Sequence, residues 1–522
     1  MRTRSCSAIV FGCLLLAAAL FGTSAAYAQT ITGRITGSVL DQSGAAVPGA
    51  SVTALNVATG VTTTTRSDQS GIYNFQFLPI GNYTVSATAA GFQKTTVGPL
   101  TLEIDQIARI DVKLAVGQVS QTVSVSSEGA VLQTQNSTLG TTVSSNTIEN
   151  LPLSGLNFQV AAVFVPGAVL PRYDTQGGQN GYERDTSPAS QPSFNGNRQQ
   201  GNNYVMDGVE INETTNNLVG YNPAPEAILE MRTITGNADA EYGDVNGGEI
   251  ILVTKAGTNQ FHGSLYDYYE NQALTANLWS NNNHPTPIPK GVFHQNLFGA
   301  TFGGPVFKNK LFFFGDYEGA RNISAGTGTA SVATAKMRNC PATNGVPTCD
   351  FSEILTTPGR QLYNSAMSAT NPTGGYTNAS PYPNNQIPLR NPVAAYLFAH
   401  PEIYPMPNRT PDAGTPDRNN YGAPTSQVVH NNQGDLRVDW NLSSKDSLMF
   451  RYSDGEGYDL FTKVVLPITF PANNDYPFHS GVVNWVHTFS PSLVNQARAG
   501  MSRVQWFNGI PTDVSGKFAL KG

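Results

Sequence analysis

The chain has 522 residues and a formal net charge of −6, from 30 Lys and Arg against 36 Asp and Glu. It has no basic cluster to displace counterions from phosphates, which excludes nucleic acid as a partner. Charged residues make up only 13% of the chain, about half the usual share of soluble domains. Gly, Asn, Thr, Ser and aromatic residues are plentiful instead, which is typical of a transmembrane β-barrel with a wet lumen and a lipid-facing outside.

Residues 1–28 have the three-part plan of a secretory signal peptide. Arg2 and Arg4 precede an apolar run over residues 8–20, and a small-residue cleavage site follows at residues 26–28. Cys13 allows a second interpretation as a lipid-attachment cysteine, although the apolar run continues beyond it. No later apolar run approaches the roughly 18 to 20 residues of a spanning helix, so a helical membrane protein is excluded.

Residues 29–116 are predicted to form a small antiparallel β-sandwich, because short β-branched or aromatic runs alternate with turn residues. Val52 and Ala54 recur with period two, as half-buried strands require. The pattern of glycines, prolines, aspartates and aromatic residues in this region resembles that of the carboxypeptidase-regulatory-like domain. In spite of its name, that domain is not a peptidase. The matching residues are Gly37, Val39, Asp41, Gly44, Pro48, Gly49, Asp68, Gly71, Tyr73, Phe75, Leu78, Pro79, Gly81 and Tyr83. The same sandwich class includes carbohydrate-binding modules, so sugar binding and a purely structural or docking role both remain open.

Residues 117–150 are predicted to be a polar linker that contains a short extended segment. Within it, polar and β-branched residues alternate over Gln121, Thr122, Val123, Ser124, Val125 and Ser126. A segment of this kind can add a strand to the edge of a partner's sheet. An alternative interpretation is that it is the last strand of the sandwich or part of a linker.

Residues 151–257 contain an ordered series of short motifs that ends in a glycine-rich stretch. The series resembles the plug domain and plug-to-barrel joint of Oar-like TonB-dependent outer-membrane receptors, and its principal residues are Asn195, Gly196, Asp207, Gly208, Glu241, Tyr242, Gly243, Gly247 and Gly248. Asp207 followed by Gly208 is also a plain turn signal. The resemblance implies an α+β plug inside a barrel, and it makes residues 121–126 the candidate TonB-contacting segment.

Residues 258–522 are predicted to be barrel strands separated by one long extracellular loop, about residues 323–430. In the run from Asp435 to Leu442, apolar Leu436 and Trp440 alternate with polar Arg437 and its neighbours, as lipid-facing and lumen-facing positions do. A turn at residues 441–446 then leads into a second alternating run. The loop carries Cys340 and Cys349, which in a secreted chain predict a disulfide.

The predicted fold class is therefore mainly β: an N-terminal sandwich, a plug and the N-terminal part of a transmembrane antiparallel barrel. The resemblance implies a receptor in the cell outer membrane, with its N-terminal domain in the periplasm. Such a receptor binds a ligand outside the cell, such as a siderophore, oligosaccharide, peptide or protein, and passes it through the plugged barrel. The energy comes from the proton gradient through TonB of the inner-membrane energising complex. No catalytic motif, metal-ligand spacing or cofactor site is apparent in the sequence, which disfavours an enzyme.

Two rival interpretations come from other classes of protein. One is a surface carbohydrate-binding or adhesion protein that acts through the sandwich, and the other is a structural component of the envelope. The barrel region offers about seven strands, whereas plugged transporters have about 22. We therefore expect this sequence to be a fragment of a longer chain, because an open sheet edge in lipid leaves backbone groups without partners.

Overall fold

The computed structural model describes residues 31–117, 122–125, 137–150, 158–169, 191–214, 217–243, 245–277, 279–283, 289–356, 359–365, 379–463, 465–467, 473–505 and 507–509. The predicted signal peptide lies outside these residues, as do Gln121 and Ser126 of the candidate segment. Strands dominate the described part of the chain. Its helices are all too short to cross a membrane.

The N-terminal region is a sandwich of two sheets. Its strands are β1 Gly33–Asp41, β2 Ser51–Asn56, β3 Thr62–Arg66, β4 Ile72–Leu78, β5 Gly81–Thr88, β6 Lys94–Leu102, β7 Ile107–Arg109, β8 Val112–Leu114 and β9 Thr122–Val125. One sheet has the order β4-β1-β7 with β8 also on β1, and the other has the order β3-β2-β5-β6-β9. The period-two expectation is confirmed, since Val52 and Ala54 are fully buried in the core between the sheets.

A second unit, the plug, is built around one mixed five-stranded sheet. Its elements are β10 Leu139–Ser144, α1 Ser145–Asn150, a 3-10 helix Phe158–Phe164, β11 Ala168–Val169, β12 Ser193–Phe194, a 3-10 helix Gln199–Gly201, β13 Asn203–Met206, β14 Val209–Glu210, a 3-10 helix Pro225–Ala227, β15 Ile228–Gly236 and β16 Glu249–Thr254. The sheet order is β10-β15-β16-β13-β14. β16 is central and buried at every position, as expected for a strand covered on both faces.

The plug sheet begins earlier than the sequence predicts. β10 pairs with β15 and lies in residues 117–150, which were predicted to be a linker. The sequence of β10 does not show the alternation of apolar residues that predicts a strand. Val143 is the only residue of this strand that is buried. Through β10, the predicted linker contributes one strand to the plug sheet.

The C-terminal region forms a nine-stranded antiparallel sheet with a small loop domain. In chain order, its elements are β17 His262–Asn271, α2 Trp279–Asn282, β18 Val292–Phe307, β19 Leu311–Ala330, α3 Ala335–Arg338, β20 Ala342–Thr343, β21 Val346–Asp350, α4 Glu353–Thr356, β22 Tyr363–Asn364, β23 Ser380–Pro381, a 3-10 helix Pro383–Asn385, β24 Gln386–Pro388, α5 Pro392–Ala399, β25 Tyr421–Asn441, β26 Asp446–Lys463, β27 Asn473–Asp475, β28 Phe478–Ser490, β29 Leu493–Val504 and β30 Phe507–Asn508. The long strands follow the order β17-β18-β19-β25-β26-β28-β29, with β27 and β30 extending from β26.

The long strands have one apolar and one polar face, as predicted. Leu436 and Trp440 on β25 are 47% and 41% exposed, whereas Asp435 and Arg437, on either side of Leu436, are 5% and 7% exposed. The polar face is buried because the plug packs against it, which is the arrangement of a barrel wall around a plug. The fold class is that of an outer-membrane barrel with a plug and a sandwich, and the sheet is not closed.

The two ends of the barrel sheet differ in the length of their connections. At one end, short turns join β18 to β19, β25 to β26 and β28 to β29. At the other end, the connections are long, and the described residues between Ala330 and Tyr421 form a small domain with its own apolar cluster. This loop is shorter than the predicted span of residues 323–430, because β19 and β25 pair as far as Ala330 and Tyr421.

Candidate functional site

A buried charge cluster joins the plug to the barrel wall. The carboxylate of Asp207 on the plug is fully buried, and its Oδ2 lies 3.0 Å from Nε of Arg451 on β26. Its Oδ1 lies 3.4 Å from Nη1 of Arg437 on β25. Arg451 is itself fully buried. Charges removed from water this completely are stable only when they are paired, so the cluster fixes the position of the plug.

Local turn chemistry places Asp207 at this position. Asp207 and Gly208 both adopt positive φ, 49° and 81°, and form the tight connection between β13 and β14. Thr254 at the end of β16 donates its hydroxyl to Asp207 Oδ2 at 2.7 Å and its backbone N–H to Oδ1 at 3.2 Å. A side chain at position 208 would also collide with Arg498, which an added Cβ would approach to 2.0 Å.

A second carboxylate on the wall extends the network. Tyr221 of the plug donates its hydroxyl to Asp435 Oδ2 at 3.1 Å, and Ser453 donates to Oδ1 of the same carboxylate. Arg451 reaches Ser453 through Nη1. The plug and two neighbouring barrel strands are therefore connected through one continuous set of polar contacts.

The acidic side chains of Asp435 and Asp439 on β25 both have protein partners. Arg437 donates to Asp439 through Nε at 2.9 Å and through Nη2 at 3.0 Å. Asp435 accepts hydrogen bonds from the plug and from β26. The two carboxylates thus act in holding the wall and the plug together.

The remaining plug-motif residues fall into two groups. Gly247 and Gly248 allow close packing, because an added Cβ would lie 2.2 Å from Asn202 Oδ1 and 2.6 Å from Phe194 Cδ2 respectively. Asn195 and Gly196 form a turn with positive φ. The second group is Glu241, Tyr242 and Gly243, of which Glu241 lies 3.9 Å from Arg34 of the sandwich and Tyr242 belongs to an apolar cluster that includes sandwich residues.

The joint between sandwich and plug is also polar and buried. Glu230 on β15 accepts the backbone N–H of Ile104 at 2.9 Å, and Arg232 lies 3.7 Å from Asp105. Burial raises the pKa of Glu230 to about 7. Burial likewise raises the pKa of Asp105 to about 6, against an opposing effect of Arg232. Both carboxyl groups therefore hold their protons more tightly in the docked state than in water.

A group of three carboxylates at this joint has the spacing of metal ligands. Oxygen atoms of Asp105, Asp239 and Glu241 lie within 4.8 Å of one another. Arg34 lies 3.9 Å from Glu241, and Arg232 pairs with Asp105. Two guanidinium groups thus already supply positive charge to this cluster.

We expect the sandwich–plug joint to weaken as pH rises. A carboxyl group whose pKa is raised on docking binds its proton more tightly in the docked state, so stability is lost as pH increases through that raised pKa. For Glu230 the window lies between about 4.5 and about 7, and its contribution is at most about 3 kcal/mol. Glu230→Gln keeps an oxygen acceptor for Ile104 but does not titrate.

Differential scanning calorimetry between pH 5 and pH 8 checks this expectation. The wild-type sandwich transition should move to lower temperature as pH rises, and Glu230→Gln should reduce the slope to the part contributed by Asp105. Asp68→Asn, at an exposed acid elsewhere in the sandwich, is the control. Equal slopes for Glu230→Gln and wild type would contradict the assignment.

The structure leaves the other predicted site residues apart from the charge cluster. Thr122, Val123, Ser124 and Val125 form β9, which pairs in parallel with β6 at the edge of the sandwich. This placement agrees with the alternative of a last sandwich strand, and it does not test contact with TonB. Cys340 and Cys349 form a disulfide in the loop domain, at the opposite end of the barrel sheet.

Sequence reasoning missed the central role of Arg451. It interpreted Asp207 as part of a turn and a plug motif, and it interpreted Arg437 as a lumen-facing position of an alternating strand. A usable signal was present, because Arg451 lies on the predicted polar face of an alternating strand. A cation in that position requires an anion from inside the sheet.

An antiparallel sheet with an apolar outer face and a plug bound to its polar inner face defines an outer-membrane receptor-type barrel. The family described as "Outer membrane beta barrel domain" matches residues 253–522. This match covers more than half of the chain, and the chain belongs to that family. The family described as "Carboxypeptidase regulatory-like domain" matches residues 34–115.

The curated relative is the TonB-dependent transporter Oar of Myxococcus xanthus, which is 28% identical over 318 residues, covering 58% of this chain and 28% of the relative. The chain is thus similar in sequence to a TonB-dependent transporter. Among solved structures, the outer-membrane transporter YddB of Escherichia coli is similar with a TM-score of 0.41 and 11% identity, over 70% of this chain and 39% of that one. A ferric enterobactin receptor of Pseudomonas aeruginosa has a TM-score of 0.37 and 12% identity, over 72% of this chain and 42% of that one. The chain spans less than half the length of each of these relatives.

Proposed function

We propose that this protein acts as a TonB-dependent outer-membrane receptor. In this proposal, the long-loop end of the barrel sheet faces the cell exterior and binds a ligand, and the short-turn end faces the periplasm together with the sandwich. Energy from the inner-membrane complex then displaces the plug so that the ligand passes. The ligand is of the class that plugged barrels carry: a siderophore, oligosaccharide, peptide or protein.

The main support for this proposal is the buried polar contact between the plug and the barrel wall. Asp207, Arg437 and Arg451 form a buried charge cluster, whereas apolar packing would hold a permanent plug without the cost of burying charge. An interface of this kind is strong while complete and fails when one contact is withdrawn. That behaviour suits a plug that must stay closed until it is pulled.

The rival role of the sandwich as a carbohydrate-binding module has no surface feature in its favour. Sugar recognition by stacking requires exposed aromatic rings, but Tyr73, Phe75 and Tyr83 are only 1%, 2% and 3% exposed. They form the sandwich core instead. Among the described residues of the sandwich, the large exposed hydrophobic side chains are aliphatic.

Binding of the TonB periplasmic domain tests the proposal. Deleting residues 121–126 from the full chain should lower its affinity for purified TonB by at least tenfold, because the segment supplies the backbone groups for strand addition. Deleting residues 129–134, an equal length of the same polar tract, is the matched control and should leave affinity unchanged. Biolayer interferometry measures both. TonB binding that survives the first deletion would reject these residues as the contact.

A further inference from the structure

The sandwich is packed directly against the short-turn end of the barrel. A single apolar cluster is shared by all three units, with Ile80 and Ile104 from the sandwich, Val253 from the plug, and Met449 and Val482 from the barrel wall. All five side chains are 9% exposed or less. The sandwich therefore shares a continuous core with the plug and the wall.

Polar contacts hold the rim of this interface. Asn259, at the start of the barrel region, donates its backbone N–H to Ala58 O at 3.0 Å and its side-chain amide to Thr59 O at 2.7 Å. The same side chain bonds Asn309 in the β18–β19 turn, at 2.6 Å to Oδ1 and at 2.8 Å from the Asn309 N–H. Gly60 packs closely against this pair. A side chain at position 60 would not fit, because its Cβ would lie 2.2 Å from Asn309 Oδ1. One sandwich turn is thus fastened to two parts of the barrel.

A cavity of about 190 Å³ lies between the three units. The sandwich contributes Phe77 and Ile80 to its lining, the plug contributes Val253, and the β25–β26 turn contributes Asn441 and Asp446. An internal void forfeits dispersion contacts and lowers the cost of separating the surfaces around it. The interface is closed but is not packed like the core of one domain.

We infer that the sandwich is a cap over the short-turn mouth of the barrel, separate from the plug, and that it must swing away before anything leaves through that mouth. This inference rests on the proposed function, since only a transported ligand needs such an exit. Two closures then act in series: the charge cluster holds the plug, and the shared apolar cluster with the Asn259 contacts holds the cap.

A cross-link that fixes the cap provides the test. The backbone hydrogen bond from Asn259 to Ala58 brings these residues into the range that a disulfide spans, roughly 4.4–6.8 Å between Cα atoms. Ala58→Cys with Asn259→Cys therefore locks the cap when oxidised and frees it when reduced. The full chain carries Cys340→Ser and Cys349→Ser, so that the native disulfide contributes no thiols. Each single cysteine variant is a control for loss of the asparagine contacts.

Two buried reporter positions distinguish cap opening from plug displacement. Val253→Cys lies beneath the sandwich, where Val253 is 3% exposed, and Val205→Cys lies inside the plug, where Val205 is fully buried. With the cross-link reduced, a permeant maleimide should label position 253 at least tenfold faster than with it oxidised, while position 205 stays slow in both states. Equal labelling of position 253 in both states, or parallel labelling of both positions, would overturn the separate cap.

Repeating the labelling in cells with an intact or a collapsed proton gradient separates this inference from the proposed function. Cross-link-sensitive labelling of position 253 that requires the gradient supports both. Cross-link-sensitive labelling that persists after the gradient collapses supports the cap and counts against energised transport. Labelling that requires the gradient but ignores the cross-link rejects the cap and leaves energised transport standing.

Discussion

Asp207→Asn should destabilise the seating of the plug by about 3–5 kcal/mol, the cost of leaving buried charges without their partner. Asparagine has nearly the same shape, tolerates the positive φ at this turn, and can still accept the N–H of Thr254. The variant therefore removes the charge and little else. Arg451, fully buried, loses the carboxylate that lies 3.0 Å from its Nε.

Urea titration of the full chain in detergent, followed by plug tyrosine fluorescence, measures this loss. Asp439→Asn is the matched control, because Asp439 also pairs with Arg437 but has a side chain 23% exposed. Its removal should cost about 1 kcal/mol or less, as for partly solvated pairs. Similar effects of the two substitutions would show that burial of the cluster does not hold the plug.

Gly37→Ala should unfold the sandwich or destabilise it by about 3 kcal/mol, at the upper end of overpacking effects. Gly37 lies in β1, the strand that pairs with β4, β7 and β8. An added Cβ would lie 1.8 Å from the carbonyl oxygen of Ile110. A backbone atom cannot rotate aside as a side chain can, so the pairing between β1 and its neighbours has to break.

Circular dichroism and calorimetry of the full chain test this expectation through the sandwich transition. Gly44→Ala carries the same substitution in the same unit, where an added Cβ meets nothing within 4 Å. Its cost comes from the positive φ of 87° and should be about 1–2 kcal/mol. A smaller loss for Gly37→Ala than for Gly44→Ala would contradict the packing argument.

Much of the architecture could be predicted because local patterns encode it. The alternation through Leu436 and Trp440 is repeated in the exposed fractions of these side chains, and the predicted hairpin has its turn where β25 ends and β26 begins. A half-buried strand has to repeat with period two whatever its partner is. Such features therefore need no knowledge of distant residues.

Other features of the structure cannot be predicted from the sequence around them. β19 and β25 continue to Ala330 and Tyr421 through Gly-, Thr- and Asn-rich sequence, because backbone pairing beyond the apolar band does not require alternation. The charge cluster joins Asp207 to Arg451, and a single sequence does not show which distant charges meet. The sandwich–plug–barrel contact was not predicted for the same reason.

The long chain separation between contacting residues constrains the order of assembly. Barrel hairpins pair neighbouring segments, whereas Tyr221 and Asp435 are 214 positions apart and Arg498 and Gly208 are 290 apart. Long-range contacts form late in folding, because the chain loses conformational entropy when a long loop closes. This loss comes before the contact contributes any favourable free energy. The plug and the barrel hairpins are therefore expected to form first from neighbouring segments, and the binding of the plug to the wall becomes a later and separate step of biogenesis.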